Sequence, residues 1–265
     1  MIRARVITGA LFGGVLISVI LFLSTPLAAA VLGALWILGA WEWAGLANLK
    51  TGGRLLYTAV CAVCMLALYL FADSRVLNAL LGIALVSLLL AFAAVVTYPR
   101  KVGMWTVGAA GFVALVPSWL LLVRLHGESP LGHELSMTVL AIVWGADIGA
   151  YTFGRAFGRI KLAPAVSPGK TWEGVAGGLI AAAAAAWLAA LWIGLPEGAL
   201  LALGVLTALA SVIGDLAVSV CKRNVGLKDT GTLLPGHGGV MDRIDSLIAA
   251  IPVFVVGLML ARIVA

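Results

Sequence analysis

The sequence predicts an all-α, polytopic integral membrane protein of about nine transmembrane helices with a cytoplasmic N-terminus. Hydrophobic residues make up 63% of the 265-residue chain and charged residues 11%, whereas soluble domains carry about 25% charged residues. A soluble core cannot bury this much apolar surface, so we expect lipid to be the main solvent. The apolar segments also follow one another through short connectors, which favours one membrane domain over residues 1–265.

Nine stretches of the chain are long and apolar enough to cross a bilayer, since a spanning helix needs about 20 mostly apolar residues. Their expected bounds are 6–24, 27–46, 55–72, 76–97, 104–123, 135–154, 172–194, 198–220 and 244–264. Prolines between these stretches agree with the bounds, because proline breaks helices. These prolines are Pro26, Pro99, Pro130 and Pro196.

The distribution of Lys and Arg orients the helices. With a cytoplasmic N-terminus, only Arg75, Arg124 and Arg262 of the 17 basic residues fall in outside connectors. Such a bias follows the positive-inside rule and puts two longer polar segments, 155–171 and 221–243, on the cytoplasmic side. The net charge of +6 then reflects topology and anionic lipid headgroups, and nucleic acid is not an expected partner.

Six of the 11 acidic residues lie in or at the edges of the predicted helices. A charged side chain in a membrane segment is costly and points to function. The alternative for any single one is an interhelical hydrogen bond or ion pair, and this alternative is strongest for Glu42 and Glu173. The six residues are Glu42, Asp147, Glu173, Asp215, Asp242 and Asp245.

The aspartates of the last helices form a candidate metal site. Asp242 and Asp245 are three residues apart and therefore share a helical face. Neighbouring carboxylates in a low-dielectric place stay ionised together only if cations intervene. With Asp215 nearby, all-oxygen ligation favours Mg²⁺ or Mn²⁺ over zinc. A second metal or a monovalent cation in the same site is left open.

Cations and glycines surround these carboxylates. Ser219, Lys222 and Arg223 follow Asp215 on one helical face, at four, seven and eight residues. The connector that follows contains Lys228, Asp229 and a glycine-rich run through Gly239, and Arg243 comes just after it. Carboxylates, cations and glycine-rich backbone N–H groups are the parts of a triphosphate site. A flexible loop with positive-inside charges is the alternative, but it leaves the acids unexplained.

The other cytoplasmic segment contains the run Ser167-Pro-Gly-Lys170-Thr171. Its Gly-Lys-Thr is similar to the end of a P-loop, but that pattern requires glycine where Pro164 stands, and no preceding strand is predicted. We therefore reject a P-loop and expect Lys170 to bind phosphate as a point charge.

The run from Ser219 to Asp245, SVCKRNVGLKDTGTLLPGHGGVMDRID, closely resembles the signature of phosphatidate cytidylyltransferases, also called CDP-diacylglycerol synthases. The segments around Asp147, from Ser167 to Gly174, and at Gly214-Asp215 look like further blocks of that family. The resemblance implies transfer of a cytidylyl group from CTP to phosphatidic acid, giving CDP-diacylglycerol and pyrophosphate, with Mg²⁺ required. The first 130 residues match the family only in character.

Each candidate residue takes an expected role under this hypothesis. Asp215, Asp242 and Asp245 form the metal site with Asp147, and Lys222 and Arg223 complete the catalytic set. His237 is a phosphate ligand or a residue that positions the loop. The expected substrate-binding residues are Ser167, Lys170, Ser219, Lys228, Asp229, His237, Gly238, Gly239 and Arg243.

The hypothesis also divides the chain and names its partners. Residues 131–265 hold the catalytic helices and loops, and residues 1–130 serve lipid contact and packing. CTP, phosphatidic acid and membrane lipids are the expected partners, with the site facing the cytoplasm from the inner membrane and a homodimer left open. A polytopic transporter using intramembrane carboxylates is the alternative, although its acids are expected near the bilayer midplane. A CDP-alcohol phosphotransferase is discounted because its D-G-x-x-A-R pattern is missing.

Overall fold

The computed structural model describes residues 2–128, 130–233 and 238–264, and over these residues it is mainly helical. Each of the nine predicted segments is a helix. The helices of the described residues are α1 (Ile2–Phe22), α2 (Thr25–Leu46), α3 (Thr51–Phe71), α4 (Ser74–Val96), α5 (Met104–Glu128), α6 (Gly132–Phe157), α7 (Trp172–Ile193), α8 (Glu197–Asn224) and α9 (Met241–Leu260).

The predicted fold class, an all-α membrane protein with many spanning helices, is confirmed. Eight helices, α2 to α9, are long and apolar enough to cross a membrane, and α1 is apolar over the shorter stretch Gly9–Phe22. Helices α3 and α4 bury little of their surface against the rest of the protein. Exposed leucine, valine and phenylalanine side chains cover both helices, as expected for surfaces that face lipid. The chain is a multi-pass membrane protein.

A short β-hairpin between α6 and α7 was not predicted. Strand β1 (Lys161–Ala163) pairs antiparallel with β2 (Ser167–Thr171). The rejection of a P-loop therefore rested partly on a wrong premise, because a strand does precede the Gly-Lys-Thr run. The rejection itself stands, since Gly169, Lys170 and Thr171 lie in the extended strand β2 and not in a loop that curls around a phosphate.

Small residues let α6 and α7 pack against each other at close range, as the glycines and alanines of α7 predict. A Cβ on Gly149 of α6 would lie 2.6 Å from the carbonyl oxygen of Gly177. A Cβ on Gly178 of α7 would lie 2.8 Å from the carbonyl oxygen of Ala146. This contact fixes Asp147 of α6 beside β2 and the start of α7.

Glycine also brings α8 against α9 where the aspartates lie. A Cβ on Gly214 would lie 2.5 Å from the Cβ of Ala249 and 2.8 Å from the carbonyl oxygen of Asp245. A larger residue at this position would push the two helices apart. The absence of a side chain at Gly214 therefore allows the next residue, Asp215, to lie near Asp245.

Candidate active site

Asp215 pairs with a lysine from the hairpin. The Nζ atom of Lys170 on β2 lies 2.5 Å from Oδ2 of Asp215, and both side chains are partly exposed. The hydroxyl of Ser219, one turn further along α8, donates to Oδ1 of Asp215 at 3.4 Å. The predicted helical face is thus confirmed as a contact, and Lys170 supplies the positive charge beside this carboxylate.

Asp242 accepts three hydrogen bonds in a mostly buried position. Lys222 donates to Oδ1 at 2.9 Å. The backbone N–H groups of Thr230 and Gly239 donate to Oδ2 at 2.9 and 3.0 Å. Asp242 therefore ties the end of α8, the α8–α9 connector and the start of α9 to one another.

Asp245 and Asp147 complete an acidic group with Asp215. Asp245 is 7% exposed and accepts a hydrogen bond from the backbone N–H of Ser246 at 2.8 Å. Asp147 lies within electrostatic range of Asp215, and Asp245 lies within range of both. Because like charges repel in a low-dielectric environment, the group is suited to bind a cation.

Two cavities meet at Asp147. One, of about 380 Å³, lies between α6, β2, α7 and α8; its polar end is formed by Asp147, Ser167, Lys170 and Asp215, and the rest is mainly apolar. The other, of about 420 Å³, lies between α1, α6 and α9 and is lined by four charged side chains. These four are Asp147, Asp242, Arg243 and Asp245. A cavity with a charged end and an apolar body suits an amphiphilic ligand.

Arg223, a member of the predicted catalytic set, makes its described hydrogen bonds to backbone carbonyl oxygens away from the acidic group. The guanidinium of Arg223 donates to the carbonyl oxygens of Val166 at 3.2 Å and Leu227 at 3.0 Å. Arg223 thereby holds the hairpin turn against the end of α8. Lys228 and Asp229 are exposed in the connector.

The glycines and the histidine of the signature are only partly described. Gly238 adopts a left-handed φ of 82°, and a Cβ there would lie 2.9 Å from Oδ2 of Asp242. Both facts explain glycine at this position. His237 lies outside the described residues. The substrate-binding roles of all these residues stay predictions.

The donor set of the acidic group fits Mg²⁺. Asp147, Asp215 and Asp245 offer only carboxylate oxygens, which hard divalent cations prefer. Within the described residues, however, no three His, Cys, Asp or Glu side chains converge closely enough to hold an ion without rearrangement. Lysines instead neutralise Asp215 and Asp242. The metal assignment, including that of Asp242, stays a prediction.

Glu42 of α2 is a site residue that sequence reasoning did not assign. The residue is 3% exposed, and its carboxylate accepts three hydrogen bonds from residues about 190 positions away. The donors are the Thr230 hydroxyl at 2.8 Å and the backbone N–H groups of Val240 at 3.1 Å and Met241 at 2.8 Å. The only signal in the sequence was a carboxylate inside an apolar helix. Glu173, with the same signal, is partly exposed and accepts a hydrogen bond from the Ile160 N–H.

The chain is similar to known proteins over nearly its whole length. A sequence model described as the cytidylyltransferase family matches residues 3–261. The phosphatidate cytidylyltransferase of Pseudomonas aeruginosa is 46% identical over 263 residues, covering 96% of each chain. That of Haemophilus influenzae is 41% identical, covering 88% of this chain and 91% of the relative. That of Synechocystis is 42% identical over 132 residues, covering 48% of this chain and 44% of the relative. The chain therefore belongs to the cytidylyltransferase family.

Proposed function

We propose that the protein transfers a cytidylyl group from CTP to phosphatidic acid, and that the transfer takes place at the acidic group of α6, α8 and α9. Relatives that cover almost all of this chain bear the name phosphatidate cytidylyltransferase. The observation that carries the location is the ion pair of Lys170 with Asp215 at the polar end of an otherwise apolar cavity. A water-soluble nucleotide and a lipid phosphate can both reach such a place.

The reaction needs alignment and charge neutralisation more than a strong base. A phosphate oxygen of the lipid forms a bond to the α-phosphorus of CTP. The bond from that phosphorus to the bridging oxygen breaks, and pyrophosphate leaves with the electron pair. The nucleophile is already an anion, so the main obstacle is repulsion between phosphates. Lys170, Lys222 and Arg243 lie around the acidic group and bind phosphate oxygens, which lowers this repulsion.

Mg²⁺ is the proposed cofactor, with Mn²⁺ as a substitute. Asp147, Asp215 and Asp245 would hold the ion, and Asp242 would contribute from the start of α9. When bound, the ion would neutralise phosphate charge. Lys170 and Lys222, which neutralise Asp215 and Asp242, would bind phosphate oxygens beside it.

The site is proposed to face the cytoplasm from the inner membrane. The hairpin and the α8–α9 connector lie in the two longer polar segments, which the Lys and Arg distribution assigns to the inside. CTP is expected on the cytoplasmic side, and the relatives that match nearly the whole chain are bacterial. The transporter alternative has no support among the relatives. Asp242 and Asp245 lie in the first two turns of α9, and Asp215 and Asp147 lie in the C-terminal halves of α8 and α6.

A direct test uses the purified protein in vesicles that contain phosphatidic acid. With CTP and Mg²⁺, we expect CDP-diacylglycerol and pyrophosphate in equal amounts, and no product with phosphatidylcholine alone. Asp215→Asn should reduce the rate at least 100-fold, because it removes the negative charge that pairs with Lys170. Glu197→Gln is the matched control. Glu197 is the first residue of α8, far along the helix from Asp215, and it accepts a hydrogen bond from Trp187 of α7. Full activity of Asp215→Asn would refute the proposed location.

A further inference from the structure

We propose that Glu42 is a positioning residue, which holds the α8–α9 connector and the first turn of α9 in the arrangement that the transfer reaction requires. The inference rests on the proposed function and adds to it a residue from the N-terminal part of the chain. Glu42 touches neither Asp215 nor Asp245 in the described contacts, so it acts through the backbone that carries Asp242.

Glu42 caps helix α9 from another helix. The first N–H groups of a helix have no partner within it, and α9 has no side-chain cap of its own at Val240. The Glu42 carboxylate accepts from Val240 and Met241, the residues at which α9 begins. A negative charge at this end also interacts favourably with the helix dipole. The capping group thus comes from α2, and the start of α9 is fixed relative to that helix.

Glu42 and Asp242 hold the same piece of connector from two sides. Thr230 donates its hydroxyl to Glu42 and its backbone N–H to Asp242. Gly239 donates its N–H to Asp242, and the next residue, Val240, donates to Glu42. Displacing one carboxylate therefore moves the donors of the other. Since Asp242 also binds Lys222, the effect reaches the proposed phosphate ligands.

Two glycines of the signature make room for this carboxylate. A Cβ on Gly231 would overlap Oε1 of Glu42, and a Cβ on Gly239 would overlap Oε2 of Glu42 and the Thr230 hydroxyl. Neither glycine has a positive φ, so backbone conformation alone does not require glycine there. Close approach of the connector to Glu42 does.

The first experiment compares Glu42→Gln with the wild type and with the control Glu197→Gln. A glutamine side chain has only one acceptor oxygen, whereas Glu42 accepts hydrogen bonds at both of its oxygens. Glu42→Gln therefore loses at least one of the three bonds. We expect kcat to fall at least tenfold, the KM for CTP to change less than threefold, and Glu42→Asp to recover part of the loss. Hydrogen exchange of the segment around Val240 and Met241 should quicken at least tenfold. Wild-type kcat and wild-type exchange in Glu42→Gln would overturn the proposal.

The exchange measurement separates this proposal from the proposed function. If the wild type transfers no cytidylyl group, the proposed function fails, while faster exchange in Glu42→Gln still supports the capping role. Should Glu42→Gln not fold, Thr230→Val tests the same contact more gently, because it removes only the hydroxyl. We expect Thr230→Val to lower kcat and Thr230→Ser to retain it. Equal kcat in the wild type, Thr230→Val and Thr230→Ser would contradict the role of Glu42.

A second experiment tests whether Gly231 is required because a side chain there would overlap Glu42. In the wild type, Gly231→Ala should lower kcat at least tenfold because its Cβ meets Glu42. In a Glu42→Ala background, the same substitution should lower kcat less than threefold, since the side chain it meets is gone. Equal fold losses in the two backgrounds would show that Gly231 is required for another reason and would contradict this part of the proposal.

Discussion

Replacing Asp242 by Asn tests how much of the site depends on one carboxylate. The change keeps the shape of the side chain but removes its charge. The amide oxygen can accept either from Lys222 or from the two N–H groups of Thr230 and Gly239, and the amide nitrogen then faces donors on the other side. The substitution therefore disrupts the site without creating a cavity.

The size of the effect follows from burial. The side chains of Lys222 and Asp242 are 11% and 7% exposed, so Asp242→Asn leaves an ammonium group buried without its counter-charge. Breaking a buried pair in this way costs about 3–5 kcal/mol. If about 3 kcal/mol of that appears in the transition state, kcat/KM falls about 100-fold, since each tenfold in rate corresponds to about 1.4 kcal/mol.

The assay measures cytidylyl transfer and the midpoint of thermal unfolding in detergent. Asp242→Asn should lower both, and adding Lys222→Met should restore part of the stability by removing the unpaired charge, but not the activity. Asp73→Asn is the control: Asp73 is exposed and accepts one N–H, from Val76, at the start of α4. Turnover of Asp242→Asn within threefold of the wild type, with an unchanged midpoint, would refute the reasoning.

Three further outcomes follow from the same geometry. Gly214→Ala should cost about 1–3 kcal/mol of stability and at least tenfold in turnover, because its Cβ presses on Ala249, while Gly198→Ala, with open space around it, should change turnover less than twofold. Lys170→Met should raise the KM for CTP or for phosphatidic acid at least tenfold, measured by varying each substrate in turn, because it removes a phosphate ligand. Removing divalent cations with EDTA should abolish transfer, and adding Mg²⁺ or Mn²⁺ in excess should restore it; undiminished activity in EDTA would contradict the proposed cofactor.

Local patterns in the sequence predicted most of the helical architecture. Apolar length alone located all nine helices, and the spacing of Asp215 and Ser219 correctly predicted a shared face. The bounds were less reliable at polar ends, where the ninth segment was expected from residue 244 but α9 begins at Met241. Both signature aspartates therefore lie in the first turns of α9.

The contacts that sequence reasoning missed are long-range or involve the backbone. Glu42 binds a connector about 190 residues away, and no local periodicity encodes such a pairing. The catalytic role of Arg223 stays a prediction, and the spacing did not indicate that its guanidinium also donates to the carbonyl oxygens of Val166 and Leu227. The hairpin itself was missed because β1 has only three residues, and because β2 is polar and contains Pro168 and Gly169, which weaken a strand pattern.

The position of the bond that breaks in CTP tests the central claim most directly. Purified protein in vesicles of phosphatidic acid is given CTP labelled either at the α-phosphorus or at the γ-phosphorus, with Mg²⁺ present. We expect the α label in the lipid and the γ label in pyrophosphate, with both signals reduced at least 100-fold in Asp215→Asn. Label from the γ position in the lipid, or transfer of the α label that does not depend on Asp215, would contradict the account.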